Sequence, residues 1–366
     1  MPLPLILGGA AVLVGSYAIK KGYDGYQKHS EADEIVKDAK ARYKRKKSVF
    51  DQQEEETTFA LDLLGKKELE IGKSIGEFKT LADALLRKLN AGRVNELNIR
   101  FPKHELQKIE DYSYTAIGVL GTVVGAGAVG AAVGFAVYGS VMALGAASTG
   151  TAISALSGVA ATNATLAALG GGALSAGGLG MAGGTAILGA TVAAPVLAIA
   201  GWAYDSHGEV ALRKARKADE EVTRAVEKLM KASELLVETE DYARKIKRGL
   251  GSIFGQFQQY FDTLKRINTF IEGVRGRNVD MDAELERFGN EIIRAIENGY
   301  ALAAILVDII ITPMFKPKEI NGAIVRNEDG VPEMENDADG SLILNGNALD
   351  KALHEAKAKA GNIETA

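Results

Sequence analysis

Apolar residues recur every seven positions between 50 and 89, a spacing that is typical of helices packed as coiled coils. One row of this stretch passes through Ile71, Phe78 and Leu85. The companion row is interrupted by Glu68, so the apolar seam is imperfect. The pattern predicts a long helix that buries this seam against another helix.

A second row with the same spacing lies between 210 and 250 and is the cleaner of the two. It includes Val222, Leu229 and Leu236, and mostly apolar or small residues supply its companion row. A seam of this kind needs a partner helix, and the first seam of the chain offers one. The simplest arrangement pairs the two helices in antiparallel directions.

The charge pattern changes between these two helices, because residues 112–204 contain no Asp, Glu, Lys or Arg. This block of 93 residues holds 20 of the chain's 42 glycines. Surface helices of soluble proteins carry a charged face, which this block cannot supply. A membrane span needs about 20 residues, so the block has room for up to four transmembrane helices or for two longer, tilted ones.

Small residues within the block predict close helix packing. Gly121 and Gly125 share one helix face, and so do Gly130 and Gly134. Small residues four positions apart let helix backbones approach closely in lipid. Aromatic residues prefer the headgroup level of a membrane, and basic flanks on both sides favour an even number of spans. The predicted interface residues are Tyr112, Tyr114, Trp202 and Tyr204.

The N-terminal segment 1–22 predicts a membrane anchor. Residues 3–19 are apolar or small, and Lys20 and Lys21 follow them. A secretory signal would carry positive charge before its apolar core, and this segment does not. The pattern therefore favours a short span or a membrane-dipping anchor, and the alternative is a buried helix in a soluble form of the protein.

The last part of the chain predicts a short apolar helix and a mixed tail. Residues 299–312 are apolar apart from Asp308 and are followed by Pro313, so we expect a buried or interfacial helix there. The tail predicts short strands with Asp-Gly turns, and then a small amphipathic helix over 349–360. The predicted domain boundaries are 1–22, 29–111, 112–204, 205–298, 299–317 and 318–366.

Overall composition changes this interpretation little. The formal net charge is −4, which gives no sign of a nucleic-acid partner. The chain has no cysteine, which excludes disulfides and thiolate catalysis and leaves the redox compartment undecided. One local feature stands out, the basic run Lys40–Lys47. It either attracts anionic lipid headgroups or forms a solvated helix face.

Three short motifs resemble parts of ligand-binding sites, but the sequence around each lacks a feature that such a site needs. Residues 178–183 read G-x-G-x-x-G, but no strand rich in β-branched residues precedes them. Residues 72–74 read Gly-Lys-Ser without the first glycine of a phosphate loop, and 335–340 supply only half of a calcium loop. Asp308 is a proton-sensing or helix-pairing candidate, or simply a residue that faces water. The sequence therefore predicts no cofactor, no metal ligand and no catalytic residue, and nothing in it specifies an enzyme.

The order of these segments resembles a known architecture. A long helix, a glycine- and alanine-rich apolar segment and a second long helix also follow one another in the α-helical pore-forming toxins of the cytolysin A type. The resemblance covers roughly 29–300 and implies a helical bundle that hides an apolar hairpin until it enters a membrane. This apolar block is longer than one hairpin, and an apolar segment precedes the first helix. The glycine-rich composition is also similar to that of apolipoprotein-L-like and glycine-rich bacterial membrane proteins.

These observations predict a mainly α fold, with coiled-coil-like helices flanking a Gly/Ala-rich transmembrane block and a small mixed tail. We expect a membrane-inserting, oligomeric protein that forms pores in a bilayer or remodels it. The alternative is a permanently anchored scaffold whose cytoplasmic coiled coil binds a protein partner. The expected partners are a lipid bilayer and further copies of the chain, without nucleic acid. The expected localisation is the membrane, either permanently or after a soluble stage.

Overall fold

The computed structural model describes residues 23–90, 101–122, 132, 135–136, 208–274, 281–325, 334–338 and 342–364. These residues are mainly helical, which confirms the predicted mainly α class. Among the helices described, none combines the length and the apolar character needed to cross a membrane. The elements are α1 (Tyr23–Asn90), α2 (Lys103–Thr122), α3 (Gly208–Val274), α4 (Met281–Ile310), β1 (Glu319–Ile320), β2 (Ala323–Ile324) and α5 (Gly346–Glu364).

The chain divides into two compact units, and α1 and α3 contribute to both. The first unit contains the described residues up to Glu55 and those of α3 up to Val237. Its core includes Ala32, Ala211 and Ala215, which pack together where α1 meets α3. Alanines at the contact allow the two backbones to approach closely, as in a narrow two-helix seam.

The second unit contains the rest of the described residues and is built around aromatic side chains. The ring of Phe78 on α1 lies 5.2 Å from that of Phe257 on α3 and 5.2 Å from that of Tyr300 on α4. Phe261 approaches the same ring edge-on at 5.8 Å. Such edge-to-face and tilted contacts add about 0.5–1.5 kcal/mol each to the apolar burial. This cluster therefore ties α1, α3 and α4 together.

Helices α1 and α3 run in parallel, so the predicted antiparallel pairing is wrong. In the first unit, Glu31 is 3.5 Å from Arg216, and Arg42 further along donates to Thr223. In the second unit, Lys67 lies over the ring of Phe254. Farther along both helices, Lys88 pairs with Glu272. An apolar seam carries no direction of its own, and the long stretch between the helices leaves both orientations open.

Prolines mark two of the helix boundaries in the second unit. Pro102 precedes α2, and its carbonyl accepts hydrogen bonds from the backbone N–H groups of Glu105 and Leu106. α4 ends at Ile310, three residues before Pro313. Proline suits the start of a helix because it needs no backbone donor there, and it stops a helix that runs into it.

Two predicted boundaries fall inside continuous helices. α2 runs through the predicted boundary at 111/112, so its last turns already belong to the uncharged sequence. α3 continues to Val274, through Gly251 and Gly255. The apolar stretch predicted as a separate helix from residue 299 is the C-terminal part of α4. A change of charge pattern alters the surroundings of a helix without ending its backbone hydrogen bonds.

The tail forms a small hairpin and then α5. β1 and β2 pair in antiparallel register, joined by Asn321 and Gly322. Both residues have positive φ, 54° and 79°, which suits a tight hairpin turn. The Asp-Gly pairs expected to form turns, at 329–330 and 339–340, lie outside the described residues. The amphipathic helix predicted over 349–360 is longer than expected at both ends.

Candidate functional site

The surface of α1 that receives α2 is built from glycines. Gly65, Gly72 and Gly76 lie on the same side of α1 at helical spacing. A Cβ at Gly72 would overlap the Cβ of Ala116 on α2. A Cβ at Gly65 would overlap the backbone carbonyl of Ala132. The missing side chains therefore let the start of the uncharged sequence lie directly against the backbone of α1.

Glu68 lies on this same side of α1, between Gly65 and Gly72. Its side chain is 4% exposed, and burial raises its pKa well above the usual range. Desolvation is the cause, because an ionised carboxylate loses its hydration inside the protein. The residue that interrupted the apolar row in the sequence is therefore buried under α2.

Tyr112 closes this contact from the α2 side. Its hydroxyl donates a hydrogen bond of 2.6 Å to the backbone carbonyl of Glu68. Its ring is 1% exposed and lies 6.1 Å from the ring of Phe135, beyond the end of α2. In this conformation Tyr112 is a core residue of the helix packing and does not face a surface where lipid would meet it.

The opposite side of α2 exposes apolar residues. Tyr114 is 58% exposed, and Ile117 and Leu120 follow it at intervals of three residues. This spacing places them on one side of α2, away from the buried Tyr112 and Ala116. α2 therefore presents an apolar surface outward as it leads into the uncharged sequence.

In the first unit, α1 and α3 begin at the same end, since the two helices are parallel there. α1 begins at Tyr23, directly after the apolar segment 3–19 and its two lysines. α3 begins at Gly208, four residues after the end of the uncharged block. The two most apolar stretches of the sequence therefore lead into the same end of this unit.

The structure places the predicted coiled-coil seam in the core. All six residues are at most 1% exposed: Ile71, Phe78, Leu85, Val222, Leu229 and Leu236. Three of the predicted membrane residues fall within α2, namely Tyr112, Tyr114 and Gly121. The others lie outside the described residues: Gly125, Gly130, Gly134, Trp202 and Tyr204.

Asp308 is a helix-pairing residue in this structure. Its carboxylate forms an ion pair with Lys108 of α2 and lies 3.8 Å from the amine of Lys359 on α5. The side chain is 36% exposed, so the pair is partly hydrated. One carboxylate on α4 therefore contacts two neighbouring helices, which agrees with the helix-pairing role among the three alternatives that the sequence suggested.

Two features of the site were not found in the sequence. The first is the role of the α1 glycines, which admit a neighbouring backbone. The sequence did contain a signal for this role. Gly65, Glu68, Gly72 and Gly76 follow one another at helical spacing and therefore share one face of α1. The shared starting end of α1 and α3 had no signal, because it follows from the parallel pairing.

Comparison with protein-family models, with curated proteins and with solved structures finds no match to this chain.

Proposed function

We propose that this chain is a membrane-inserting helical protein that assembles with further copies and permeabilises or remodels a bilayer. The observation that carries the proposal is the common starting end of α1 and α3. Both helices begin directly after apolar sequence, so a bilayer at that end meets both apolar stretches together. Residues 112–204 enter the lipid in this mechanism, because a block without charges loses little hydration there.

The contact between α1 and α2 supports a conformation that precedes insertion. The glycine row and Tyr112 hold the first part of the uncharged sequence against α1. Release of α2 would hydrate Glu68 and free an apolar helix whose outer side already exposes Tyr114. Insertion then exchanges one set of close helix contacts for another within the membrane.

Dye release from liposomes tests the proposal. The protein is purified without detergent and added to vesicles loaded with a self-quenching dye. We expect release that increases with protein concentration more steeply than linearly, because several copies act together. Protein that is extracted only by detergent and releases no dye after reconstitution would contradict the proposal.

A second candidate function is a permanently anchored scaffold that binds a protein partner. One observation favours it: Val49 and Met230 are 61% and 45% exposed and belong to the two helices of the first unit. Exposed apolar residues on a paired helical surface suit a protein partner. Detergent-dependent extraction together with intact dye retention would support this function over pore formation.

A further inference from the structure

Positive charges in the first unit gather on one side of the paired helices. Asp38 and Lys40 flank the buried Ala39, and successive helix residues turn by about 100°, so the two side chains project to opposite sides. Asp38 accepts a hydrogen bond from Arg42, which also pairs with Asp219 of α3. Asp38 and Arg42 therefore lie on one side of the helix pair, and Lys40 projects from the opposite side.

The same arrangement recurs on α3. Lys217 and Asp219 flank the buried Ala218, so Lys217 projects away from the side on which Asp219 pairs with α1. Because the helices are parallel and both right-handed, the sides of Lys40 and Lys217 coincide. Helical spacing adds further residues to this surface, which we name the basic face: Lys37, Lys40 and Lys44 of α1, and Lys217, Arg224 and Lys228 of α3.

These six side chains are exposed, and none forms an ion pair with another residue in the part of the chain that the structure describes. Helical spacing also places Asp33, Asp51, Glu220 and Glu221 on this side, together with Lys47, which pairs with Asp51, so seven cations meet four carboxylates. Glu31, by contrast, pairs with Arg216 on the opposite side. The acidic residues that pair with basic ones between α1 and α3 lie on the opposite side. The basic face therefore has an excess of positive charge.

The basic face lies near the end at which both apolar stretches enter the first unit. Lys37 is 14 residues from the start of α1, about 21 Å at 1.5 Å per residue. Lys217 is nine residues from the start of α3, about 14 Å. A bilayer that holds the apolar stretches therefore has headgroups within reach of these lysines when the basic face lies along its surface.

We infer that the basic face binds the phosphate groups of anionic lipid headgroups. This inference rests on the proposed function and adds the lipid class to it. Lysine and arginine near a negatively charged leaflet each favour binding by about fivefold, and the contributions multiply. Lipid is favoured over nucleic acid because apolar sequence precedes both helices at this end, which a membrane accommodates and a polynucleotide does not.

Vesicle binding by charge variants of the full chain tests the inference. The face variant is Lys37→Gln/Lys40→Gln/Lys217→Gln, which removes the three lysines nearest to that end. The control Lys73→Gln/Lys103→Gln/Lys351→Gln removes the same number of exposed positive charges from the second unit. Binding is measured by co-sedimentation with vesicles of phosphatidylcholine, alone or with one third phosphatidylserine. Circular dichroism verifies that both variants keep the helical content of the wild type.

We expect the wild type to prefer anionic vesicles and to lose this preference in high salt, because counterions screen the lysines. The face variant should bind anionic vesicles about 100-fold more weakly, as three charges at about fivefold each require, while the control binds like the wild type. Equal binding of face variant and wild type to anionic vesicles would overturn the inference. Tighter, face-dependent binding of a DNA duplex at the same salt concentration would also overturn it.

Neutral vesicles separate this inference from the proposed function. Dye release from phosphatidylcholine vesicles depends on the apolar sequence, since these headgroups carry no net charge. The proposed function would be contradicted if the wild type released no dye from either kind of vesicle. Intact dye release together with indifference to phosphatidylserine would contradict the basic face alone.

Discussion

Single residues on the contact between α1 and α2 decide how firmly the uncharged sequence is held. Glu68 is the clearest case, because burial favours the neutral form of its carboxyl and so raises its pKa. The folded chain therefore binds a proton that the unfolded chain releases once the pH exceeds its usual Glu pKa, about 4.3. Stability falls as the pH rises from that value through the raised pKa of Glu68.

Replacement of Glu68 by Gln removes this pH dependence, since an amide stays neutral at every pH. We expect Glu68→Gln to raise the free energy of unfolding at pH 7.5 by about 1–3 kcal/mol and to change it little near pH 4. Urea denaturation at both pH values measures the difference. Glu70→Gln is the control, because Glu70 is 54% exposed and its pair with Lys67 is worth less than about 1 kcal/mol. An equal gain from Glu68→Gln at both pH values would contradict the expected role of burial.

The glycines of helices differ in what surrounds them, and this difference predicts opposite effects of alanine. Gly65→Ala should destabilise the protein by about 1–3 kcal/mol, because the new methyl group overlaps the carbonyl of Ala132. Gly251→Ala should stabilise it by about 0.5–1 kcal/mol, because that position has open space and alanine favours a helix. Thermal unfolding of the two variants gives the comparison. A stabilising Gly65→Ala would show that the backbone at Ala132 does not approach α1 this closely.

At the scale of the elements, the direction of α3 relative to α1 is the feature with the largest consequences. The chain has no cysteine, so introduced pairs report contacts without background. Ala32→Cys with Ala215→Cys should form a disulfide on mild oxidation, because these alanines pack together. Ala32→Cys with Ala243→Cys should not. Gel mobility under non-reducing conditions distinguishes the two pairs, and the reverse result would restore the antiparallel arrangement.

The sequence predicts which sides of these helices are buried and leaves their arrangement open. The rows through Phe78 and Leu229 are visible because burial repeats with the helical period. Direction is not visible, because an apolar row reads alike from either end. The burial of Glu68 was not predictable from the sequence either, since a charged residue in an apolar row normally marks an exposed position. Only the close approach of α2 buries it.

At the scale of the whole molecule, self-association is the property that links the helices to a function. The glycine pairs of the uncharged block lie largely outside the described residues, and their role in packing stays a prediction. Gly125→Leu/Gly134→Leu should weaken self-association in membranes or micelles by about tenfold, since bulky residues separate the backbones. Val124→Leu/Ala131→Leu adds bulk away from the two glycine rows and serves as the control. Chemical crosslinking in micelles measures the effect, and unchanged oligomers would count against glycine-mediated contacts.

The burial of Glu68 also provides an optical reporter. A protonated carboxyl has a C=O stretching vibration that is separate in the infrared from the bands of carboxylates and of the peptide backbone. The other buried carboxyls among the described residues, Asp62 and Glu240, form ion pairs with Lys66 and Arg244. Loss of the protonated-carboxyl band on addition of vesicles, in the wild type and not in Glu68→Gln, would follow the departure of α2 from α1 in real time and without a label.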